Sequence, residues 1–373
     1  MKKTPLKILG LERNPYNDNL FESLQSGNFN IFVFYTVLNS AVKNNTSWGQ
    51  LDKPGYDYKH ISTYTLLKLV RILFKFRTET FIFTGYASFS FIIGMLICVL
   101  FKIKFLVFTD VPSLDTKIGF FRGRFKSFAR WLAFFKSDGV LTTGTPGRNA
   151  LKRLGCDERK IVNYPYTPSL FDLSDITPSE LSKLPFLNNK PVILFSGQLI
   201  HRKGVDIFLY ALHILKRREV NFQAIVEGDG PMMGFLKELC IQLKINDEVH
   251  FTGFNNRKIH SALVHRADIV VSPSRWEPWG NIVPEAMSAG KVVIASSSVA
   301  SATDRIIHDT NGLIFQTDNT AELIRHLAMA ILDSDYSARL SSEAKISAEI
   351  WTADMNAIFL AAYSNPKFIS NIS

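Results

Sequence analysis

Short apolar runs alternate with segments of helical period from one end of the chain to the other, and this alternation constrains the fold more than any other feature. The runs read as strands at 7–10, 30–35, 80–83, 105–109 and 139–142 in the first half, and at 192–196, 223–227, 249–252, 269–272, 292–295 and 313–315 in the second. Helical stretches lie between them, among others at 19–26, 63–76, 120–136, 205–217, 231–244 and 280–289. Apolar strands alternating with helices imply parallel sheets covered on both faces. At 373 residues the chain is long enough for two such domains, each with its own core. The break falls near 163–190, where four prolines interrupt any strand pattern. The expected organisation is α/β: a Rossmann-like doubly wound domain over 1–175, a linker over 176–190, a second such domain over 191–345, and a helical segment over 346–373 placed to pack back on the first domain.

Composition excludes several classes. Charged residues make up 20% of the chain and hydrophobic ones 46%, with no long polar tract, which argues against disorder. Cys98, Cys156 and Cys240 are odd in number and scattered, without a CxxC, so a reducing compartment fits better than a disulfide framework or a zinc site. The basic start, Met1-Lys2-Lys3, is followed by no long apolar stretch; no signal peptide is read and a cytoplasmic location is expected. Residues 81–101, FIFTGYASFSFIIGMLICVLF, carry no charge and are long enough to span a bilayer. Their local pattern is instead that of a buried unit: a strand, a turn at Gly85, a helix start at Ser88 or Ser90, then an apolar helix. The net charge of +10 is unevenly placed, with 25 Lys/Arg against 14 Asp/Glu in 1–185 and 18 against 19 in 186–373. The first half is therefore expected to face something anionic.

Ligands of α/β proteins sit at the carboxyl ends of strands and between domains, so the loops after strands carry the candidate chemistry. In SGQLIHRKGVD, 196–206, Gly197 and Gln198 open a loop, Arg202 and Lys203 follow, and Gly204 leads into a helix. Backbone N–H groups at a helix start beside two cations suit a phosphate, and equally describe a solvated basic loop. In EGDGP, 227–231, Gly228 and Gly230 allow a tight turn that a flat ligand can approach closely, or a plain strand–helix turn. The most informative segment is SPSRWEPWGNIVPEAMSAGKVV, 272–293, where Glu277 lies in a proline-punctuated aromatic loop, Gly280 opens a helix and Glu285 sits in its first turns. Two such carboxylates can face one cavity and accept hydrogen bonds from the paired hydroxyls of a sugar or a ribose.

With these segments in order, the run from Val192 to about Ala328 resembles the donor-binding domain of the family 4 glycosyltransferases. The family's Glu, seven residues, then Glu corresponds to Glu277 and Glu285, and GQLIHRKGVD, EGDGP, HFTGF, ADIVVSPS and NGLIF match in order and spacing. The first half is similar only loosely, through RNPYNDNLFESL and SDGVLTTGTPGRNALKRLG. The resemblance implies the GT-B architecture, two Rossmann-like domains facing each other across a cleft, the first binding the acceptor and the second the nucleotide-sugar donor. It implies a retaining sugar transfer that needs no bound metal or other cofactor. It also implies roles: Glu277 holds donor-sugar hydroxyls; Gly280, Asn281 and Ile282 offer backbone groups to the sugar and distal phosphate; Glu285 holds the ribose; Arg202 and Lys203 neutralise the leaving diphosphate. Gly197, Gln198, Gly228 and Gly230 then line the donor site.

This sequence departs from the family where Gly197-Gln198 replaces a common Gly-Arg, where Ala300-Ser301 replaces a common Gly-Gly, and where Gly10-Leu11-Glu12 replaces a glycine-rich first loop. A first-domain His found in several members has no clear counterpart; Asp110, in FTDVP, lies at a similar strand end and is the candidate on the acceptor side. Asp333-Ser334-Asp335 falls between two helices, away from any strand end, and the histidines show no HExxH, so no metal site is expected. In FFRGRFKSFARWLAFFK, 120–136, an α-helix puts Phe121, Phe125, Phe128, Leu132 and Phe135 in one stripe and leaves Trp131 and Phe134 beside Arg122, Lys126 and Arg130. That describes a core helix with a solvated basic face, or an interfacial helix on anionic lipid, where a lipid-linked saccharide acceptor would reside. Nucleic acid is not an expected partner, because no recognised motif accompanies the charge. The expected function is nucleotide-sugar-dependent glycosyl transfer; the alternatives are an epimerase of the same fold and a non-catalytic membrane- or nucleic-acid-binding protein.

Overall fold

The structure, a computed structural model, describes residues 3–10, 15–26, 29–36, 54–61, 66–112, 120–164 and 190–350, with positions 166, 168, 170, 176, 177 and 179. The chain divides into two compact units, one ending its main run at Tyr166 and the other beginning at Thr167. Each is built on one parallel sheet, the architecture of two Rossmann-like domains that the alternation implies.

In the first unit the strands are β1 (Thr4–Gly10), β2 (Phe29–Tyr35), β3 (Asp57–His60), β4 (Thr80–Thr84), β5 (Phe105–Thr109), β6 (Gly139–Thr142) and β7 (Ile161–Asn163), in the order β3-β2-β1-β4-β5-β6-β7. All neighbours pair in parallel. Helices α1 (Pro15–Ser26), α2 (Leu66–Lys75), α3 (Phe89–Leu100), α4 (Phe120–Trp131) and α5 (Gly144–Arg153) supply the crossovers. The uncharged 81–101 stretch is the expected buried unit. β4 is followed by Gly85, whose φ of +130° favours glycine, and Ser88 caps α3 by accepting from the Phe91 N–H at 3.2 Å. α3 is 12 residues long and buries Phe91, Ile92, Met95 and Cys98. Among the described residues no helix is long and apolar enough to cross a membrane.

The segment after α4 departs from its expected stripe. Leu132–Lys136 form a π-helical turn, which rotates the residues after it out of α-helical register. Leu132, Ala133 and Phe134 are consequently buried in succession, and Phe134 packs edge-on to Tyr86 at 5.4 Å rather than lying beside the cations. Phe125, Phe128, Trp131 and Phe135 are exposed instead. The Phe121 and Arg122 side chains lie outside the described residues.

The second unit contains β8 (Val192–Ser196), β9 (Gln223–Glu227), β10 (Val249–Gly253), β11 (Ile269–Ser272), β12 (Val292–Ser296) and β13 (Leu313–Phe315), ordered β10-β9-β8-β11-β12-β13 and wholly parallel. Its helices are α6 (Val205–Arg217), α7 (Met233–Gln242), α8 (Arg257–Arg266), α9 (Ile282–Ser288), α10 (Ala300–Arg305), α11 (Thr320–Leu332) and α12 (Ser334–Ala348). The central strands are buried on both faces, as all-parallel sheets require, with Phe195, Phe208 and Phe222 inside one of the two cores. Asp333, part of the DxD, caps α12 by accepting from the Tyr336 N–H at 2.9 Å. The proposed return of the C-terminal segment to the first domain concerns residues that, from 351 on, lie outside those described.

Candidate active site

Strand order in the second sheet reverses between β8 and β11. At such a switch point the loops leaving adjacent strands diverge to opposite faces and open a crevice at their carboxyl ends. The three sequence segments converge there. The loop after β8 is bonded to the loop after β9 by Gly197 N–H donating to the Glu227 carbonyl at 3.0 Å and Leu199 N–H to that of Asp229 at 2.9 Å. The backbones lie so close that a Cβ on Gly228 would come within 1.8 Å of the Gly197 oxygen, and one on Gly230 within 2.6 Å of that of Leu199. Glycine is therefore required at both positions by close approach. Gly204 adopts φ +68° and packs its α-carbon against the Pro273 carbonyl after β11, where a Cβ would stand 2.1 Å from the oxygen.

This packing brings Arg202 and Lys203 onto Glu277. The Lys203 ammonium donates to Glu277 Oε2, and Arg202 Nη1 reaches the same oxygen at 3.2 Å and the Trp276 carbonyl at 2.8 Å, its guanidinium 5.4 Å from the Trp276 ring centre. Glu277 is held by its own backbone too: its N–H donates to the Ser298 carbonyl at 3.0 Å and its carbonyl accepts from Ala300 at 3.1 Å. Gly280 turns the chain with φ +91° into α9, where Asn281 and Ile282 stand at the first turn. First-turn N–H groups have no acceptor within their helix. Glu285, 2% exposed, points one carboxylate oxygen at His260 Nε2, 3.2 Å away. Among the described residues, no protein group engages the second oxygen of either Glu277 or Glu285. Two carboxylates are thus each anchored at one oxygen by basic side chains, Glu277 by Lys203 and Arg202 and Glu285 by His260.

Asp110 is placed differently. It lies exposed at the end of β5 in the first unit and is paired with the Tyr166 hydroxyl, whose ionisation burial opposes most and the Asp110 charge opposes further. Gln198, in the position of a common phosphate-binding Arg, brings no charge; Arg202 and Lys203 supply the cations here. Among the described residues no group of three or more His, Cys, Asp or Glu could hold a metal ion.

Comparison with known proteins bears on this geometry. Residues 177–347 match the family described as glycosyl transferases group 1. That match takes in most of the second unit and just under half of the chain. An uncharacterized glycosyltransferase from Methanocaldococcus jannaschii is 32% identical over 160 residues, 42% of this chain and 40% of that protein. A GDP-mannose-dependent alpha-(1-6)-phosphatidylinositol monomannoside mannosyltransferase from Mycobacterium tuberculosis is 29% identical over 167 residues, 42% of each chain. The alignments therefore span about two fifths of these relatives' own length. The crystal structure of HepE from Anabaena in complex with UDP superposes with a TM-score of 0.76 over 99% of this chain and 100% of that one, at 17% identity, which shows the shared GT-B fold.

Within the matched unit, Ala300-Ser301, at the position of the common Gly-Gly, packs against the loop that carries Glu277. Ser301 N–H donates to the Trp279 carbonyl at 2.9 Å and its hydroxyl to that of Gly280 at 2.8 Å, bracing the loop that carries Glu277. Three further residues went unread in the sequence. Arg275 grips Asp206 through two bonds of 2.9 and 2.7 Å and the His201 carbonyl at 2.7 Å, tying the cationic loop to the Glu277 loop. Glu227 and His260 form a buried pair behind Glu285, with His260 Nδ1 2.7 Å from Glu227 Oε2. Burial pushes His260 down, but the charges and hydrogen bonds of Glu227 and then Glu285 outweigh it and raise its pKa well above 6.5. Burial likewise pushes Glu227 up, and His260, with bonds from Ser196 and Asn255, holds it below 4.5. Glu227 was within view as the first letter of EGDGP; a single His on an ordinary helix gave no spacing signal.

Proposed function

We propose that this protein is a retaining glycosyltransferase that moves a sugar from a nucleotide diphosphate sugar to a saccharide or lipid-linked saccharide in polysaccharide or lipopolysaccharide synthesis. The observation that carries the reading is the meeting of Arg202, Lys203 and Glu277 at the β8–β11 switch point, eight residues before the buried Glu285 of the same motif. In this reading Glu285 takes the ribose hydroxyls on its open oxygen, and charge-assisted bonds of this kind contribute roughly 1.5–3 kcal/mol each. Glu277 takes hydroxyls of the transferred sugar. As the glycosidic bond breaks, negative charge grows on the departing diphosphate, and Lys203 and Arg202 stabilise that charge more than the ground state. Gly280, Asn281 and Ile282 bring backbone groups to the sugar and distal phosphate, and Gly197, Gln198, Gly228 and Gly230 line the donor. The cations take the place of a bound metal, so none is required. GDP-mannose in the name of one relative and UDP in the HepE complex support a nucleoside diphosphate leaving group. The test is a screen of UDP-, GDP-, ADP- and dTDP-sugars with acceptor extracts, reading free nucleoside diphosphate with and without EDTA. Release from one donor, undiminished by EDTA, is expected; no release from any of them would refute the reading.

We further infer that the protein works at the inner face of the cell membrane, held by α4. Phe125, Phe128, Trp131 and Phe135 are exposed near Arg124, Lys126, Arg130 and Lys136, and the Lys136 ammonium lies 5.1 Å from the Trp131 ring centre. Rings that dip among headgroups, with basic residues worth about 1 kcal/mol each near an anionic surface, give reversible, salt-sensitive attachment. Sedimentation with anionic but not neutral vesicles, reversed by salt and lost in a Lys126→Gln, Arg130→Gln, Lys136→Gln variant, is the expected result. Equal binding to neutral vesicles would overturn it.

A further inference from the structure

Behind Glu285 lies a chain of polar groups that the proposed transfer chemistry does not use. Asn255, in the loop after β10, donates from Nδ2 to Glu227 Oε1 at 3.2 Å and to the Thr252 hydroxyl at 3.0 Å. Glu227, at the end of β9 and 4% exposed, holds His260 Nδ1 at 2.7 Å, and His260 Nε2 reaches Glu285 Oε2 at 3.2 Å. Both ring nitrogens face carboxylate oxygens, which only accept, so both carry a proton and the imidazole is an imidazolium. His260 rides on α8, whose other buried positions are the apolar Ile259, Ala262, Leu263 and Val264 and Ser261, whose hydroxyl is satisfied within the helix by the Arg257 carbonyl at 2.8 Å. An apolar residue would pack at this position just as well, and burying a carboxylate–imidazolium–carboxylate chain is costly relative to such packing. The chain ends on the one carboxylate that reads the donor's ribose.

We propose that His260 is a positioning residue: backed by Glu227 and Asn255, it fixes Glu285 through Oε2 and thereby commits Oε1 to the paired ribose hydroxyls of the donor. The proposal rests on the reading that Glu285 holds the ribose. An unanchored Glu285 could rotate its carboxylate or turn away, and the two hydroxyls would then be bound no better than two hydrogens. His260 therefore acts on ribose discrimination, and a purely structural role would not.

The experiment is calorimetry with two pairs of probes, UDP with 2′,3′-dideoxy-UDP and GDP with its dideoxy counterpart, on the full chain. Wild type is expected to prefer the hydroxylated member of the pair it binds by about tenfold or more, the worth of one charge-assisted bond. His260→Gln keeps the side chain's reach but loses the charge and one donor; the preference should fall to about twofold, with affinity for the dideoxy probe little changed. Glu227→Gln, which keeps the shape and removes only the charge behind His260, should fall between the two and guards against a His260 variant that does not fold. Melting temperatures of both variants are read in parallel. A variant that melts earlier yet keeps the full preference overturns the proposal and leaves His260 a packing residue. A wild type with no preference within a pair removes Glu285 from the ribose, and the inference fails with the reading beneath it.

Discussion

The two units share one construction and differ in what they place at the carboxyl edge of the sheet. In the first, the strands end on Gly10, Tyr35, His60, Thr84, Thr109, Thr142 and Asn163, and contacts between neutral groups include Thr36 to the Gly10 carbonyl, the Tyr35 hydroxyl to that of Tyr56 at 2.8 Å, and Thr84 to the Leu9 carbonyl. Asp18, bonded by Tyr56, is the buried carboxylate of that cluster. In the second, the corresponding edge gathers Glu227, Glu277 and Glu285 with Lys203, Arg202 and His260. Buried ions are expensive unless paired, and in this unit they are concentrated and paired at one switch point. The overall positive excess of the first half is a surface property by contrast, suited to a surface partner rather than to a pocket.

The largest expected effect on this contrast comes from backbone contact. Gly228→Val would drive a side chain into the Gly197 carbonyl at a φ of +127°, so the β8 and β9 loops would separate. Loss of roughly 2 kcal/mol or more of stability and of nucleotide binding is expected, read by chemical denaturation and calorimetry. Next, Lys203→Ala should lower kcat about 100-fold with a smaller change in donor affinity, because the cation acts on charge that develops in the transition state. A rise in KM with kcat unchanged would instead assign it to uniform ground-state binding.

A pH series sharpens the comparison further. His260, whose pKa is raised in the fold, contributes stability in full below its ordinary 6.5, and that contribution is lost as pH rises through the raised value. Glu227, whose pKa is lowered, contributes above its ordinary 4.5, and the contribution is lost as pH falls through the lowered value. Thermal stability of the second unit should therefore be highest on the mildly acidic side, between 4.5 and 6.5, and the fall at higher pH should shrink in His260→Gln. The smallest effect is expected in the first unit, from Asp110→Asn. The residue is exposed and keeps a bond to Tyr166, so stability should change by less than about 0.5 kcal/mol and nucleotide affinity not at all. A change in acceptor KM alone would support its placement on the acceptor side.

The second unit was legible in the sequence almost strand for strand because its strands are apolar runs closed by small residues, as VILFS and IVVS are. β3 was missed for the converse reason. Asp57-Tyr58-Lys59-His60 is a polar edge strand paired on one side only, and nothing in its composition requires a sheet. β7, three residues at the other edge, was too short to show a period. The π turn at Leu132–Lys136 buries Leu132, Ala133 and Phe134 in succession, and periodicity calculated for an α-helix cannot see such a change. In the site, the motif carried Glu277, Glu285, Arg202 and Lys203, whereas His260 acquires its meaning only when α8 is laid between the ends of β9 and α9.

The central claim is that the second unit holds a nucleotide diphosphate through Glu285. It is tested most directly by calorimetric titration of UDP and GDP into the wild-type chain and a Glu285→Ala variant shown to be folded. The account predicts measurable binding of one nucleotide by wild type and a loss of at least about tenfold in the variant, the worth of one charge-assisted hydrogen bond. Unchanged affinity in a folded Glu285→Ala protein would contradict it.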